Sequence, residues 1–202
     1  MTNIKTPKEN GDPCQSDLTQ GSLSNHFLIA MPGLDDTSFA HTVTLVCEHS
    51  AEGAMGIVIN APLNINMEEI FQQMQLTASD EVNKRTVLAG GPVQLERGFV
   101  LHKTGTIWNS TLEISKDISL TVSKDIIAAI ANEEAPPEAI VALGYAGWGA
   151  GQLEEEIAEN TWLTLIADSD IIFNTPCEQR WALAAQSLGI DLNLMSSTAG
   201  HA

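Results

Sequence analysis

The stretch that most constrains the fold is residues 139–162. It opens on an apolar run without alternation (AIVAL, residues 139–143), passes through GYAGWGAG and ends in QLEEEIAENTW. A short apolar run of that kind predicts a central strand buried on both faces. Residues 152–159 predict a helix. Between the two, Gly144, Gly147, Gly149 and Gly151 crowd around Tyr145 and Trp148. Glycine at this density means backbone in unusual conformations, or backbone that something approaches closely. The segment therefore reads as a strand-to-helix junction at the edge of a site.

The flanking sequence predicts the layers around it. Residues 26–30 (HFLIA) form a strand, and residues 31–36 (MPGLDD) a wet turn. In residues 42–49 (TVTLVCEH), alternation puts Val43, Leu45, Cys47 and His49 on one face. A turn at residues 50–54 and a buried strand at 55–60 make an antiparallel pair with it. Asn66 and Glu69 have capping-box spacing, opening a helix whose apolar face is Ile70, Phe71 and Met74. Strands follow at 86–89, 99–102 and 118–122, and Ser123 caps a helix over 124–132. A strand covers 162–167. Thr175, Pro176 and Glu178 read as cap, first helical position and box closure of a last helix. Its core face is Trp181, Leu183, Ala184 and Leu188, and Gly189 stops it. Strands and helices interleave in the second half, while the first half is strand-rich. The fold class is α/β with α+β character, a mixed central sheet with helices on both faces. Residues 1–22 are polar and are expected to form a disordered tail, leaving residues 23–202 as one compact domain.

Charge narrows the functions. With 26 acidic against 9 basic residues, the formal net charge is −17. Such a surface repels phosphate backbones and anionic lipid, so neither nucleic acid nor membrane is an expected direct partner. The N-terminus lacks an apolar stretch of the secretory type, and no apolar run reaches the length of a membrane span. Cys14, Cys47 and Cys177 show no paired spacing, which fits a reducing compartment. The expected location is cytoplasmic.

Motifs for chemistry are sparse. The glycine-rich junction has the geography of a phosphate cradle, but Gln152 stands where a third glycine of a dinucleotide fingerprint belongs. Glu154, Glu155 and Glu156 already occupy the positive end of the helix. Cys47 and His49 on one face would allow a thiolate–imidazole pair. His26, His41 and His102 lack zinc-site spacing, so no metal and no cofactor are expected.

Taken together, MPGLDDTSFAHTVTLVCEHSAEGAMGIVINAPL, GGPVQLERGFVLH, SKDI, GYAGWGAGQLEEEIAENTWL and TPCEQRW resemble, in order and spacing, the bacterial AlgH/YqgE family. The resemblance covers residues 23–202. Its motif positions fall here on Pro32, Asp36, Phe39, His49, Gly53, Gly56, Asn60 and Pro62. They continue on Gly90, Gly91, Pro92, Phe99, Gly144, Tyr145, Gly147, Trp148, Gly151, Gln152 and Trp162. The resemblance implies an α/β fold with a sheet between helices and a smaller α+β part, and no established cofactor. Members are largely uncharacterised and carry the label of transcriptional regulators, through the link of the AlgH name to alginate production.

The expectation drawn from all of this is a binding or regulatory protein without catalytic activity, acting on an unknown protein or small-molecule partner. Its expected ligand wall comprises Pro32, Asp35 and Asp36, then His49 and Gly53, then Gly144, Tyr145, Gly147, Trp148, Gly149, Gly151 and Gln152. The alternative is a thiol-dependent enzyme or redox protein using Cys47 near His49. A DNA-binding regulator ranks last.

Overall fold

A computed structural model describes residues 21–32, 34 and 39–190. The expected tail up to residue 20, Cys14, Asp35, Asp36 and residues 191–202 lie outside the described residues. The strands are β1 His26–Ala30, β2 Val43–Ser50, β3 Gly53–Val58, β4 Pro62–Asn66 and β5 Thr86–Ala89, then β6 Val93–Lys103, β7 Thr111–Glu113, β8 Ile118–Thr121, β9 Ile140–Gly149 and β10 Trp162–Ile166. The helices are α1 Met67–Met74, α2 Asp80–Asn83, α3 Lys124–Ala131, α4 Gln152–Ala158, α5 Ser169–Phe173 and α6 Arg180–Ser187.

These strands make one curled, mostly antiparallel sheet, a half-barrel in the order β10-β1-β2-β3-β9-β6-β8-β7. β4 and β5 lie off this path and, with α1 and α2, form the smaller α+β part. β9 is central. One edge carries β5 at Ala142 and Leu143, then β3 from Ala146 to Gly149; β6 runs along the other. The largest core lies on one face of the sheet, where Phe27, Leu45, Phe99 and Leu120 meet Ile172 and Ala184 of α5 and α6. On the other face, α1 and α3 cover one half through Phe71, Ile126 and Ile130. α4 covers the other half through Leu153 and Ile157.

Local signals explain several boundaries. Asn66 and Glu69 form the expected capping box, each side chain taking a backbone N–H. At the other end of the chain the sequence signal misleads. Thr175 does not cap; its hydroxyl donates to the Asp170 carbonyl, and Cys177–Gln179 form a 3-10 turn before α6 starts. That turn rephases the helix. Ala184 and Ala185 are buried, whereas Leu183, expected in the core, is 38% exposed. Ser123 likewise makes no backbone cap and donates to Asp125 instead.

Two departures shape the site. First, β9 does not end at Leu143: its strand pairing continues through the glycines, Trp148 opposite Ala54 and Gly149 opposite Gly53. The glycines belong to a strand because other backbone presses on it. Gly144 has φ +73°, and a Cβ there would lie 2.5 Å from the Gly91 carbonyl oxygen; a Cβ on Gly91 would lie 2.2 Å from the Tyr145 carbonyl carbon. The segment entering β6 crosses β9 at that point with no room for side chains.

Second, β2 carries a β-bulge. Val46 pairs with Gly56 and Glu48 with Met55, leaving Cys47 as the extra residue. A bulge breaks the two-residue alternation. Cys47 joins Leu45 in the core beneath α5 and α6, while His49 turns to α4.

Candidate functional site

The end of β9 opens onto two clefts, one on each side. Ala146 and Trp148 belong to the core under α4, and Tyr145 to the core on the opposite face. This alternation is that of an ordinary strand.

Under α4, three aromatic rings pack together. Phe39 meets Trp162 edge-on at 5.5 Å, and Trp148 meets Trp162 edge-on at 6.2 Å between ring centroids. Such edge-to-face pairs contribute about 0.5–1.5 kcal/mol each beyond burial. The two indole N–H groups converge on one carboxylate oxygen, Glu156 Oε2, at 2.9 Å from Trp148 and 2.8 Å from Trp162. The other oxygen accepts from Gln152 Nε2 at 2.9 Å, and Gln152 Oε1 accepts the Gly149 N–H at 3.0 Å. The smaller cleft, about 310 Å³, lies against this cluster and reaches Leu34, Pro92 and Thr161. Gln152, Glu156 and the two indoles are already spent on one another. The Gly149 N–H is taken by Gln152, so the junction is no phosphate cradle.

The larger cleft, about 740 Å³, lies between the β2–β3 hairpin and β7. It brings together His49, Gly53, Tyr145, Gly147 and Trp148 from the expected ligand wall. Met55, Leu112 and Ile114 supply apolar lining, and Glu48, Glu52 and Glu113 supply charge. The expected wall thus borders two clefts, and Gly147 and Trp148 line both. The hairpin turn faces the larger cleft, while Leu34, from the turn after β1, faces the smaller one. Gln152 lines the smaller cleft only, Gly149 and Gly151 are exposed beside it, and Pro32 is half-buried and lines neither.

His49 is held at both nitrogens. Nδ1 accepts the Leu23 N–H at 2.9 Å, which fixes the proton on Nε2, and Nε2 donates to Glu154 Oε1 at 2.9 Å. The Glu154 carboxyl sits below the usual carboxylate range, chiefly through its own backbone N–H and further through His49. Cys47, the expected thiol, lies in the core. It is 3% exposed, its Sγ points to the Leu45 carbonyl, and burial, reinforced by the charge of Glu48, pushes the thiol far above its ordinary range. The bulge is the physical reason that thiol and imidazole do not form a pair. Cys177 is half-buried, and burial raises its thiol too, against the opposing charge of Arg180.

The other described histidines do not converge. His26 contacts the Ser24 carbonyl, His41 meets the Trp181 ring edge-on, and His102 is buried between Lys103 and Thr121. Among the described residues, no group of three or more His, Cys, Asp or Glu is placed to hold a metal. None of their helices is long and apolar enough to cross a membrane.

A family model described as AlgH-like matches residues 27–193. The chain belongs to the AlgH-like family. A UPF0301 protein of Saccharophagus degradans is 58% identical over 181 residues, covering 90% of this chain and 89% of that one. A second, from Thioalkalivibrio sulfidiphilus, is 51% identical and covers 90% and 97%. The solution structure of the AlgH protein from Pseudomonas aeruginosa superposes with a TM-score of 0.75 at 44% identity, over 94% of this chain and 100% of that one. A Corynebacterium diphtheriae protein shares the fold, with a TM-score of 0.69 at 17% identity, over 87% and 92%.

Within this AlgH-like fold, two cleft-lining residues and one arginine outside the clefts went unmarked by the sequence. Glu156 was visible only as part of an acidic helical turn. Arg97 carried no local signal at all. Arg180, 7% exposed, donates to the carbonyls of Ile59 and Thr175 and so ties α6 to the end of β3. A lone arginine at the start of a helix reads as a surface residue until its neighbours are known.

Proposed function

We propose that this chain is a binding or regulatory protein without catalytic activity, and that it engages a cationic protein segment or small ligand in the larger cleft. The observation that carries the reading is the convergence of β2, β3, β7 and β9 on one 740 Å³ space. That volume falls within the range of about 300–1,000 Å³ typical of ligand sites. The lining combines apolar surface with three carboxylates and bare glycine backbone. The groups that could perform chemistry are otherwise engaged, His49 by Leu23 and Glu154, and Cys47 by its burial. A net charge of −17 favours a basic occupant and opposes direct contact with DNA. Regulation then proceeds through a partner.

The test is titration of the isotope-labelled protein with an acetylated, amidated peptide of alternating lysine and leucine. Saturable shifts at Gly53, Tyr145 and Gly147, lost in a Glu52→Lys/Glu113→Lys variant, support the reading. Shifts confined to other surfaces, or unchanged by the charge reversal, would overturn it.

A further inference from the structure

We infer that Arg97 anchors an anionic group of the ligand, and that the occupant of the larger cleft is a short basic peptide held by its C-terminal carboxylate. This rests on the reading of the cleft given above. Among the described residues that line the cleft, Arg97 is the one lysine or arginine. Its guanidinium lies 5.3 Å from the centre of the Phe99 ring, and Nη1 donates to Gln94 Oε1 at 3.3 Å. These two contacts steady the side chain and leave most of its five N–H donors unused.

Among the described residues, the ion pairs are His49–Glu154, Lys103–Glu138 and Lys116–Asp117. Arg97 is in none of them, and neither are Glu48, Glu52 and Glu113, which line the same cleft. Both signs of charge therefore stand around one space with no ion pair between them. At physiological salt, exposed charges beyond roughly 8 Å are screened, so a ligand meets this local pattern more than the overall charge of the chain. An occupant that satisfies the pattern carries an anion for Arg97 and cations for the acids.

The planar fork of a guanidinium matches a carboxylate through two parallel hydrogen bonds. Lysine or arginine side chains of a peptide suit Glu48, Glu52 and Glu113. Its apolar residues suit Met55, Leu112, Ile114 and Tyr145. The sheet adds a further recognition element. β7 ends the strand order and pairs only with β8 among the described residues, and its Leu112 and Glu113 line the cleft. An extended peptide there meets a strand edge as well as side chains.

The experiment compares two acetylated Leu-Lys-Leu-Lys-Phe peptides, one with a free C-terminal carboxylate and one amidated, by calorimetry and chemical-shift mapping on the full chain. The free acid is expected to bind at least tenfold more tightly. Arg97→Gln is expected to remove that difference, and Arg97→Lys to restore part of it. Equal affinity of the two peptides, or a preference for the acid that survives Arg97→Gln, would overturn the inference. If the amide still shifts Gly53 and Gly147 in that case, the cleft remains the binding site and only the anchor is lost. If neither peptide binds, the peptide assignment itself is overturned.

Discussion

The indole N–H of Trp148 and the carboxylate of Glu156 meet at 2.9 Å across the turn that joins β9 to α4. Because Trp162 donates to the same oxygen, one side chain satisfies two buried indoles and ties two strands to the helix lying over them.

Glu156→Ala is therefore expected to destabilise the fold by about 3 kcal/mol, since two N–H donors lose their partner in places water scarcely reaches. Glu156→Gln is milder, because its carbonyl oxygen can still accept. Urea unfolding measures both. A loss below 1 kcal/mol for the alanine variant would show that the indoles find other acceptors.

Position 53 provides a second test. Gly53 has φ +135°, and a Cβ there would lie 2.2 Å from the Trp148 carbonyl oxygen. Gly53→Ala is expected to destabilise by about 2–4 kcal/mol, through strain together with backbone overlap. Gly98→Ala, where no atom lies within 4 Å, is the control. It is expected to be neutral or to stabilise by up to about 1 kcal/mol. Equal effects at the two positions would contradict the close packing of β3 on β9.

Thiol chemistry separates the cysteines. In the folded chain at pH 8, iodoacetamide is expected to modify half-buried Cys177 well before Cys47, whose labelling should follow global unfolding. Peptide mass spectrometry over time reads both sites. Rapid labelling of Cys47 in the native protein would restore the reactive-thiol reading.

Acid should weaken the fold in two steps. The His102 ring is fully buried, with Nδ1–H donating to the Lys103 carbonyl and Nε2 facing the Thr121 hydroxyl, both at 2.9 Å. Burial holds its pKa below the ordinary value of 6.5. Between the folded pKa and 6.5 the unfolded chain carries the extra proton, so stability rises with pH there and falls as pH drops below 6.5. One proton limits the slope to about 1.4 kcal/mol per pH unit. Asp125, held low chiefly by the Ser123 hydroxyl, and Glu138 and Glu154, each held low chiefly by its own backbone N–H, add losses only at lower pH, as their carboxylates protonate. Unfolding titrations from pH 7 to 5.5 should show the first step, and His102→Gln should flatten it. An unchanged slope in that variant would remove His102 from the account.

What the sequence disclosed and what it concealed divide along a physical line. The Asn66–Glu69 box, the short strand β5 and the start of α4 depend on neighbours in the chain, and their residues announce them. The reach of β9 through its glycines depends on β3, nearly a hundred residues away, and local propensity argued for a loop. The facing of Cys47 and His49 depends on where β3 sets the bulge. The site divides in the same way. Trp148 and the glycines stand out by composition, but that Tyr145 and Trp148 face opposite cores follows from strand alternation, which a strand-to-helix junction does not predict. Arg97 acquires meaning only beside Phe99 and the hairpin acids, none of which its own segment predicts, apart from the ring two residues on.

The bulge at Cys47 has a consequence for how such a chain can vary in length. It works as a one-residue phase shifter, setting the hairpin beyond it on the opposite parity from the strand before it. Deleting Cys47 would restore regular pairing, with Glu48 still opposite Met55 and His49 still opposite Ala54 on the face beneath α4, at the cost of one buried side chain. Keeping all the residues while flattening the bulge would instead set Cys47 opposite Met55 and Glu48 opposite Ala54, bringing Glu48 beneath α4, beside a helix already rich in carboxylates. A relative without the bulge therefore keeps its histidine on the helix only if its strand is also one residue shorter.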